Sequence, residues 1–384
     1  MSGARVMLWV QHLLGIGHQR RAAVIARQLC RLGAKVCYVS GGCPLPSLDV
    51  GEAELIQLPP ARTADATFET LVDEHGDPVS PAWQQNRRDR LLQVFDRFEP
   101  DVLLTESYPF GRGLLRFELE PLVERSHRRR PRPRLVCSVR DILQPRSVKR
   151  NQAISELVRS RYDLVLVHSD PRVVELSASF PAAGAIRDQI RYTGYVTEDG
   201  PVTTGAGEGS GVLISGGGGV VAERLMQAAL GAQPRSRLKD EPWRVLAGPA
   251  VGEAAFERLR DLAHGGARVE RNRADFAALL ARCRVSVSQG GYNTLMDVVS
   301  ARARALIVPF SDAGQAEQPT RARLFAARGL VQVLPAEELE PSAQAAAIDR
   351  TAAAPRPPAG ALDVDGAGRA AEWVLRLAAG ENGR

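Results

Sequence analysis

The sequence predicts an α/β protein built from two Rossmann-like, doubly wound domains, and three observations predict it. A short apolar run, a glycine-rich turn and an amphipathic helix follow one another at residues 6–32 and again at residues 211–230. These runs do not alternate with polar residues, which is the pattern of parallel strands covered by helices on both faces. Between the two copies, residues 197–210 are rich in Gly, Thr and acids, lack any hydrophobic period, and read as a linker. The expected domains are therefore 1–196 and 211–384, and 384 residues suffice for two cores of about 100 to 200 residues each.

In chain order, residues 6–10 are the first strand, Gly15 and Gly17 its turn, 20–32 its helix and 35–40 the second strand. Further strands are expected at 55–58, 101–105, 134–139, 164–168 and 190–193. The second domain opens with a strand at 211–215, the turn Gly216-Gly217-Gly218-Gly219 and a helix at 220–230. Its other strands fall at 244–247, 267–270, 285–288, 305–308 and 331–334, with helices at 274–282 and 319–328. Residues 342–358, rich in Ala and Pro, read as a surface excursion, and 368–378 as a last helix closing the second domain. The first apolar stretch is broken by Gln11 and His12 and no small-x-small cleavage site follows, so it reads as a buried strand, not a secretion signal. No run reaches the about 18 apolar residues of a membrane span.

Charge and composition narrow the function. The net charge is +6, from 50 basic and 44 acidic residues, and 47 of the basic residues are Arg. Residues 1–195 hold the whole excess, with 28 basic and 22 acidic residues. Within them, residues 125–134 carry six arginines, Arg125 to Arg134 inclusive, and no acid. That segment is a candidate contact for an anionic acceptor or a membrane surface. Aromatics make up 5% of the chain and are not interleaved with the basic residues, which argues against nucleic acid as a partner. Five cysteines without C-x-x-C spacing fit neither a disulfide framework nor a zinc site, and point to a reducing, cytoplasmic setting.

The chemistry concentrates in a few turns. Val285-Ser-Val-Ser-Gln289-Gly290-Gly291-Tyr-Asn293-Thr294 is a strand that ends in glycines and runs into a helix. Bare backbone amides and the positive end of a helix dipole bind phosphate there without a metal. Asn293 and Thr294 are natural N-caps, with Thr294 opening the helix and Asp297 in its first turn. The loop 311–318 ends in Glu317 and Gln318; an acid binds paired ribose hydroxyls, so Asp297 and Glu317 are rival ribose ligands, and Gln318 can reach phosphate or sugar. His18 follows the first glycine turn at the start of a helix, where a neutral imidazole is favoured and can act as general base. Glu106 and Asp141 follow strand ends, where ligands of such sheets bind.

Together these segments resemble the GT-B glycosyltransferases, in particular the group containing the lipid II N-acetylglucosaminyltransferase and the diacylglycerol galactosyltransferases. Asp275-Phe276, Leu279-Leu280, the 285–294 turn, Pro309-Phe310, Glu317-Gln318 and Arg321-Ala322 are similar to their donor half, and Gly15-Ile-Gly17-His18-Gln-Arg-Arg21 to their N-terminal turn. The resemblance implies two domains facing across a cleft and a nucleotide-sugar donor, with UDP the expected nucleotide, bound by the C-terminal domain. Gly290, Gly291, Asn293 and Thr294 would meet the diphosphate, and Ser215, Gly216, Gly217 and Gly218 the phosphates or the transferred sugar. It implies neither cofactor nor metal. An unidentified acceptor, anionic or lipid-linked, would bind the N-terminal domain, placing the enzyme in the cytoplasm or on the inner membrane face. The lipid II enzyme has a different loop where Glu317-Gln318 stands, so its sugar preference does not carry over.

Four other readings compete. A metal-dependent glycosyltransferase needs Asp-x-Asp after a central strand, and Asp363-Val-Asp365 lies in the tail. A dehydrogenase has only Gly217-Gly-Gly-Val-Val-Ala222, a weak match because consecutive glycines satisfy many patterns. Nucleotide-sugar hydrolases of sialic-acid-like sugar synthesis share the Gly-x-Gly-His turn and use its His on water, so the nucleophile alone separates them from transferases. A non-enzymatic nucleotide-sugar-binding protein is the remaining class.

Overall fold

The structure is a computed structural model and describes residues 3–13, 15–64, 69–197, 209–216, 222–248, 251–273, 275–310 and 317–381. Two compact units divide the chain: Met1–Glu198 with Asp365–Arg384, and Asp199–Val364.

The first unit contains β1 (Arg5–Val10), α1 (Gly17–Arg31), β2 (Lys35–Ser40), β3 (Glu54–Gln57), β4 (Arg62–Thr63), β5 (Leu71–Val72), α2 (Pro81–Phe98), β6 (Val102–Glu106), α3 (Arg116–Arg128), β7 (Arg134–Arg140), α4 (Val148–Arg161), β8 (Leu164–His168) and β9 (Ile190–Tyr192). Seven of these strands form a parallel sheet in the order β3-β2-β1-β6-β7-β8-β9. The order reverses between β1 and β6, where Trp9 stands opposite Thr105. Successive side chains of β1 serve opposite faces, as a pleat requires: Met7 and Trp9 pack into the layer beneath α2 and α3, and Val6, Leu8 and Val10 into the layer that holds α1. The short antiparallel pair β4–β5 had no counterpart in the sequence reading; two residues a side are too few to show a period.

A buried ion pair ties the first unit's layers together. Arg87 of α2 and Glu118 of α3 are both fully buried, with Nε and Oε2 2.6 Å apart. Arg87 also donates to Gln11 Oε1 (2.8 Å) and to the carbonyls of Gly41 and Pro59, while Trp9 Nε1 donates to Glu118 Oε1 (3.1 Å). Arg87 thus ties the segments that follow β1, β2 and β3 to α2 and α3.

The second unit contains β10 (Val212–Ser215), α5 (Ala222–Ala232), β11 (Trp243–Ala247), α6 (Glu253–Asp261), β12 (Ala267–Arg271), α7 (Phe276–Arg282), β13 (Val285–Ser288), α8 (Tyr292–Ser300), β14 (Ala305–Ile307), α9 (Glu317–Ala326), β15 (Gln332–Val333) and α10 (Pro341–Ala353). Its six strands are again all parallel, in the order β12-β11-β10-β13-β14-β15, and the order reverses between β10 and β13. The doubly wound, two-domain prediction holds.

Two assignments change. Residues 342–358 are not an excursion: most of them form α10, which buries Gln344, Ala345, Ala347, Ile348 and Thr351 and packs on α5. Its alanines are strong helix formers, Pro341 occupies the first turn where its missing N–H costs nothing, and Pro355 follows the end. The last helix, α11 (Gly366–Ala378), belongs to the first unit and not to the second. Its stripe of Ala370, Ala371, Val374 and Leu377 packs in one layer with Ala22, Ala23 and Ala26 of α1, and small residues on both helices allow the close approach. Among the described residues no helix is long and apolar enough to cross a membrane.

Removing one member of the buried pair leaves an uncompensated charge. Arg87→Met should lower the unfolding free energy in urea by about 3–5 kcal/mol, and the double variant Arg87→Met/Glu118→Leu should recover part of that loss.

Candidate active site

In the first unit the strand-order reversal brings two predicted residues together. β1 leads through the glycine turn into α1, which Gly17 opens, and His18 lies in its first turn. The neighbouring strand β6 ends at Glu106. His18 Nδ1 is 2.8 Å from Glu106 Oε1, although the residues are 88 apart in sequence. Glu106 is completely buried. It also accepts from Arg21, from Ser107 Oγ (3.1 Å) and from Ser138 Oγ (2.8 Å). The serine hydrogen being given to Glu106, His168 Nε2–H must donate to Ser138 Oγ (2.7 Å), which leaves His168 Nδ1 to accept from Thr193 Oγ1 (2.9 Å).

Electrostatics follow from this burial. Desolvation works to raise the Glu106 carboxyl, but Arg21 and His18 outweigh it and hold Glu106 well below the usual carboxylate range. Burial and then the charge of Arg112 push His18 well down, against the pull of Glu106. His18 is therefore neutral at physiological pH. A carboxylate at 2.8 Å requires the hydrogen on Nδ1, so the Nε2 lone pair is left as the basic site. Burial and Arg112 lower His12 to about 4; burial and Arg21 lower His168 to about 3.

The other first-unit candidates lie nearby in the topology. Gly15 is exposed, and nothing within 4 Å would meet a side chain there, so packing does not demand a glycine. Asp141 is buried just after β7 and accepts from the Ile142 amide (2.8 Å). The arginines of residues 125–134 are largely neutralised: Arg125 pairs with Asp96, Arg128 with Glu124, Arg129 with Glu99, and Arg132 and Arg134 with Asp163.

In the second unit the reversal between β10 and β13 sets Ser215 opposite Ser288, at the strand ends. Both hydroxyls are buried without a hydrogen-bond partner among the described residues. Gly216 is required by packing, since a Cβ would lie 2.1 Å from that of Ala222. Gly217 and Gly218 lie outside the described residues. Gln289, Gly290 and Gly291 carry the chain from β13 into α8, which Tyr292 opens with extended Gly291 as N-cap and no side-chain cap. Asn293 and Thr294 are thus inside the first turn and do not cap it, and Asp297 sits in the second turn, not the first. The sequence placed the start two residues late because it looked for a side-chain cap where an extended glycine suffices. A helix start of this kind, entered through an extended glycine, is the sort of N-terminus that can receive an anion.

Gly290 does not offer its amide: Gln318 Oε1 accepts it at 3.0 Å together with the Phe310 amide at 3.1 Å. Gln318 thereby ties the ends of β13 and β14, and the Gly290 position is tight, a Cβ there lying 3.2 Å from the Gln318 carbonyl. The residue missed by sequence reasoning is Arg321, completely buried yet charged. It donates to the Gly290 carbonyl (3.1 Å), pairs with Glu317 (2.7 Å) and lies 5.6 Å from the centre of the Tyr292 ring. Its signal was present as a basic residue four positions after Glu317, the helical spacing of an ion pair.

Comparison with known proteins agrees with this geometry. Residues 212–359 match the glycosyltransferase family 28 C-terminal domain. The chain is similar in structure to MurG of Acinetobacter baumannii, at 13% identity and a TM-score of 0.57, covering 98% of this chain and 99% of that one. It is similar to a glycosyltransferase of Rickettsia africae at 11% identity and a TM-score of 0.60, covering 99% and 94%. The Streptomyces glycosyltransferase SsfS6, solved with thymidine diphosphate, matches at 14% identity and a TM-score of 0.57, covering 97% and 96%. No curated protein sequence matches the chain. The fold is GT-B, and with the family match it supports an enzyme of glycosyl transfer.

The lowered histidines make a stability prediction. A histidine whose folded pKa lies below 6.5 is protonated first in the unfolded chain, so its contribution is complete above pH 6.5 and lost as pH falls towards the folded value. His12 and His168 together should give a slope approaching about 2.7 kcal/mol per pH unit between pH 4 and 6, measured by urea unfolding, with His18 adding in the same direction. His12→Asn should reduce the proton uptake on unfolding by about one.

Proposed function

We propose that the chain transfers a sugar from a nucleoside diphosphate sugar, with UDP as the nucleotide, to an acceptor hydroxyl, inverting the anomeric carbon without a metal. The observation that carries this reading is the 2.8 Å contact between His18 Nδ1 and a buried, fully hydrogen-bonded Glu106. Such a pair fixes one tautomer and orients Nε2, as the acid does in hydrolytic triads. The acceptor oxygen forms a bond to the anomeric carbon on the face opposite the diphosphate, and its proton passes to His18 Nε2. The bond from that carbon to the diphosphate oxygen breaks, and the nucleoside diphosphate leaves with the electron pair. Glu106 touches His18 and not substrate in this reading, so it is a positioning residue that also stabilises the imidazolium.

The leaving diphosphate is assigned to the second unit. Amides at the start of α8, from Tyr292 through Asn293 to Thr294, receive its negative charge with the helix dipole behind them, which does the work of a metal ion. Ser215, whose hydroxyl lacks a partner among the described residues, is a donor towards phosphate or sugar. Glu317 is held by Arg321 at the start of α9 and suits the paired hydroxyls of ribose; Asp297, a turn deeper in α8, is the rival. Gln318 acts on ligand through its amide nitrogen, its oxygen being occupied by two backbone amides. The narrower kinship with the lipid II and diacylglycerol enzymes is supported by the motif order. A lipid-linked acceptor would bring this cytoplasmic enzyme to the inner membrane face.

In buffer containing EDTA, His18→Ala should lower kcat by about 10²–10⁴ with UDP affinity by calorimetry unchanged. Loss of that affinity would contradict its role. Glu106→Gln removes the group that supports the imidazolium, so the acid limb of the kcat/KM profile should move to lower pH. Rapid stoichiometric release of free sugar without acceptor would mark a hydrolase instead. Glu317→Ala should weaken UDP binding by about tenfold or more, and unchanged affinity would remove Glu317 from the site.

A further inference from the structure

The loop that follows Glu106 carries an arginine with an unmet need. Arg112 Nε donates to the Gln11 carbonyl (3.0 Å), which fixes the guanidinium among the strand ends of the first unit. Its Nη2 is sealed from solvent and has no hydrogen-bond partner among the described residues. Burying a charged donor unbonded is unfavourable, and a site that retains one is shaped for an acceptor. The backbone confirms that the placement is enforced: Ser107 and Arg112, at the two ends of this loop, are both left-handed, with φ of 67° and 61°. Non-glycine residues hold that conformation only where surrounding structure imposes it.

The surroundings are cationic. Burial, Arg140 and Arg21 lower Arg112 to about 10, against the pull of Glu106. Glu106 already accepts from His18, Arg21, Ser107 and Ser138. Arg146 Nε donates to the Phe110 carbonyl (3.1 Å), and Arg150 Nη2 lies 3.6 Å from where a side chain on Gly113 would begin. The charge of Arg112 also lowers His18, so the guanidinium and the imidazole share one neighbourhood.

We infer that Arg112 binds an anionic group, phosphate or carboxylate, carried by the acceptor, and so holds the acceptor hydroxyl at His18. The inference rests on the reading of His18 as the base and names the class of acceptor. It moves the anion site from residues 125–134, where carboxylates answer most of the arginines, to the loop between β6 and α3.

The test uses the full chain with isotope-labelled histidine, the His18 ring signals being assigned by their loss in His18→Gln. Methyl phosphate and acetate are titrated separately. At least one should shift the His18 signals with millimolar affinity, and Arg112→Gln should weaken that binding by about tenfold or more, the worth of a charge-assisted hydrogen bond. Arg112→Lys, which keeps the charge but loses the fork, should fall between and serves if Arg112→Gln does not fold. Response to methyl phosphate alone identifies a phosphorylated acceptor, and to acetate alone a carboxylated one. Failure of both anions to move the His18 signals, or equal affinity in wild type and both variants, overturns the inference. Turnover of a UDP-sugar alongside that failure would leave the transferase reading standing; anion binding at Arg112 with no transfer to any acceptor would do the reverse.

Discussion

A carboxylate placed where water cannot reach it must be surrounded by donors, and Glu106 imposes that demand on the whole first unit. An unpaired buried ion costs several kcal/mol, so the elements that supply its partners are constrained to one arrangement. α1 must present His18 and Arg21 one helical turn apart on the same face; β7 must pair with β6 so that Ser138 stands opposite Glu106. Only the reversal of strand order leaves room for this, because there α1 departs over one face while β6 continues beside β1. Orientation of the imidazole is thus a by-product of satisfying the acid.

The second unit uses the same topology with the opposite sign at its centre. There the buried ion is Arg321, and its partners are the Gly290 carbonyl, Glu317 and the Tyr292 ring. The Gly290 carbonyl is bound by Arg321 just before the chain turns at Gly291 into α8. One unit is organised by a buried anion, Glu106, and the other by a buried cation, Arg321.

What could be read in the sequence depended on how local its cause was. Strands were legible to within two residues because parallel strands buried on both faces need uninterrupted apolar runs, as in 6–10 and 164–167. The turn from β13 into α8 was legible because its glycines, Asn293 and Thr294 adjoin one another. The contact of His18 with Glu106 was not, since nothing in a sequence couples positions 88 apart. Arg87 and Arg112 were hidden for another reason: among 47 arginines a buried one has no distinguishing mark. Helix α10 was misread because alanine and proline signal both loops and helix ends, and only packing on α5 decides between them.

The return of α11 to the first unit has a consequence for how the protein is made. The first unit is discontinuous, with the entire second unit interposed between β9 and its last helix. During synthesis the layer of Val6, Leu8 and α1 therefore stays open to water while the ribosome completes some 160 residues that belong elsewhere. The second unit, being one uninterrupted segment, can close first. The sheet beside His18 is begun first and sealed last, and in the interval its apolar face is the surface a chaperone would find.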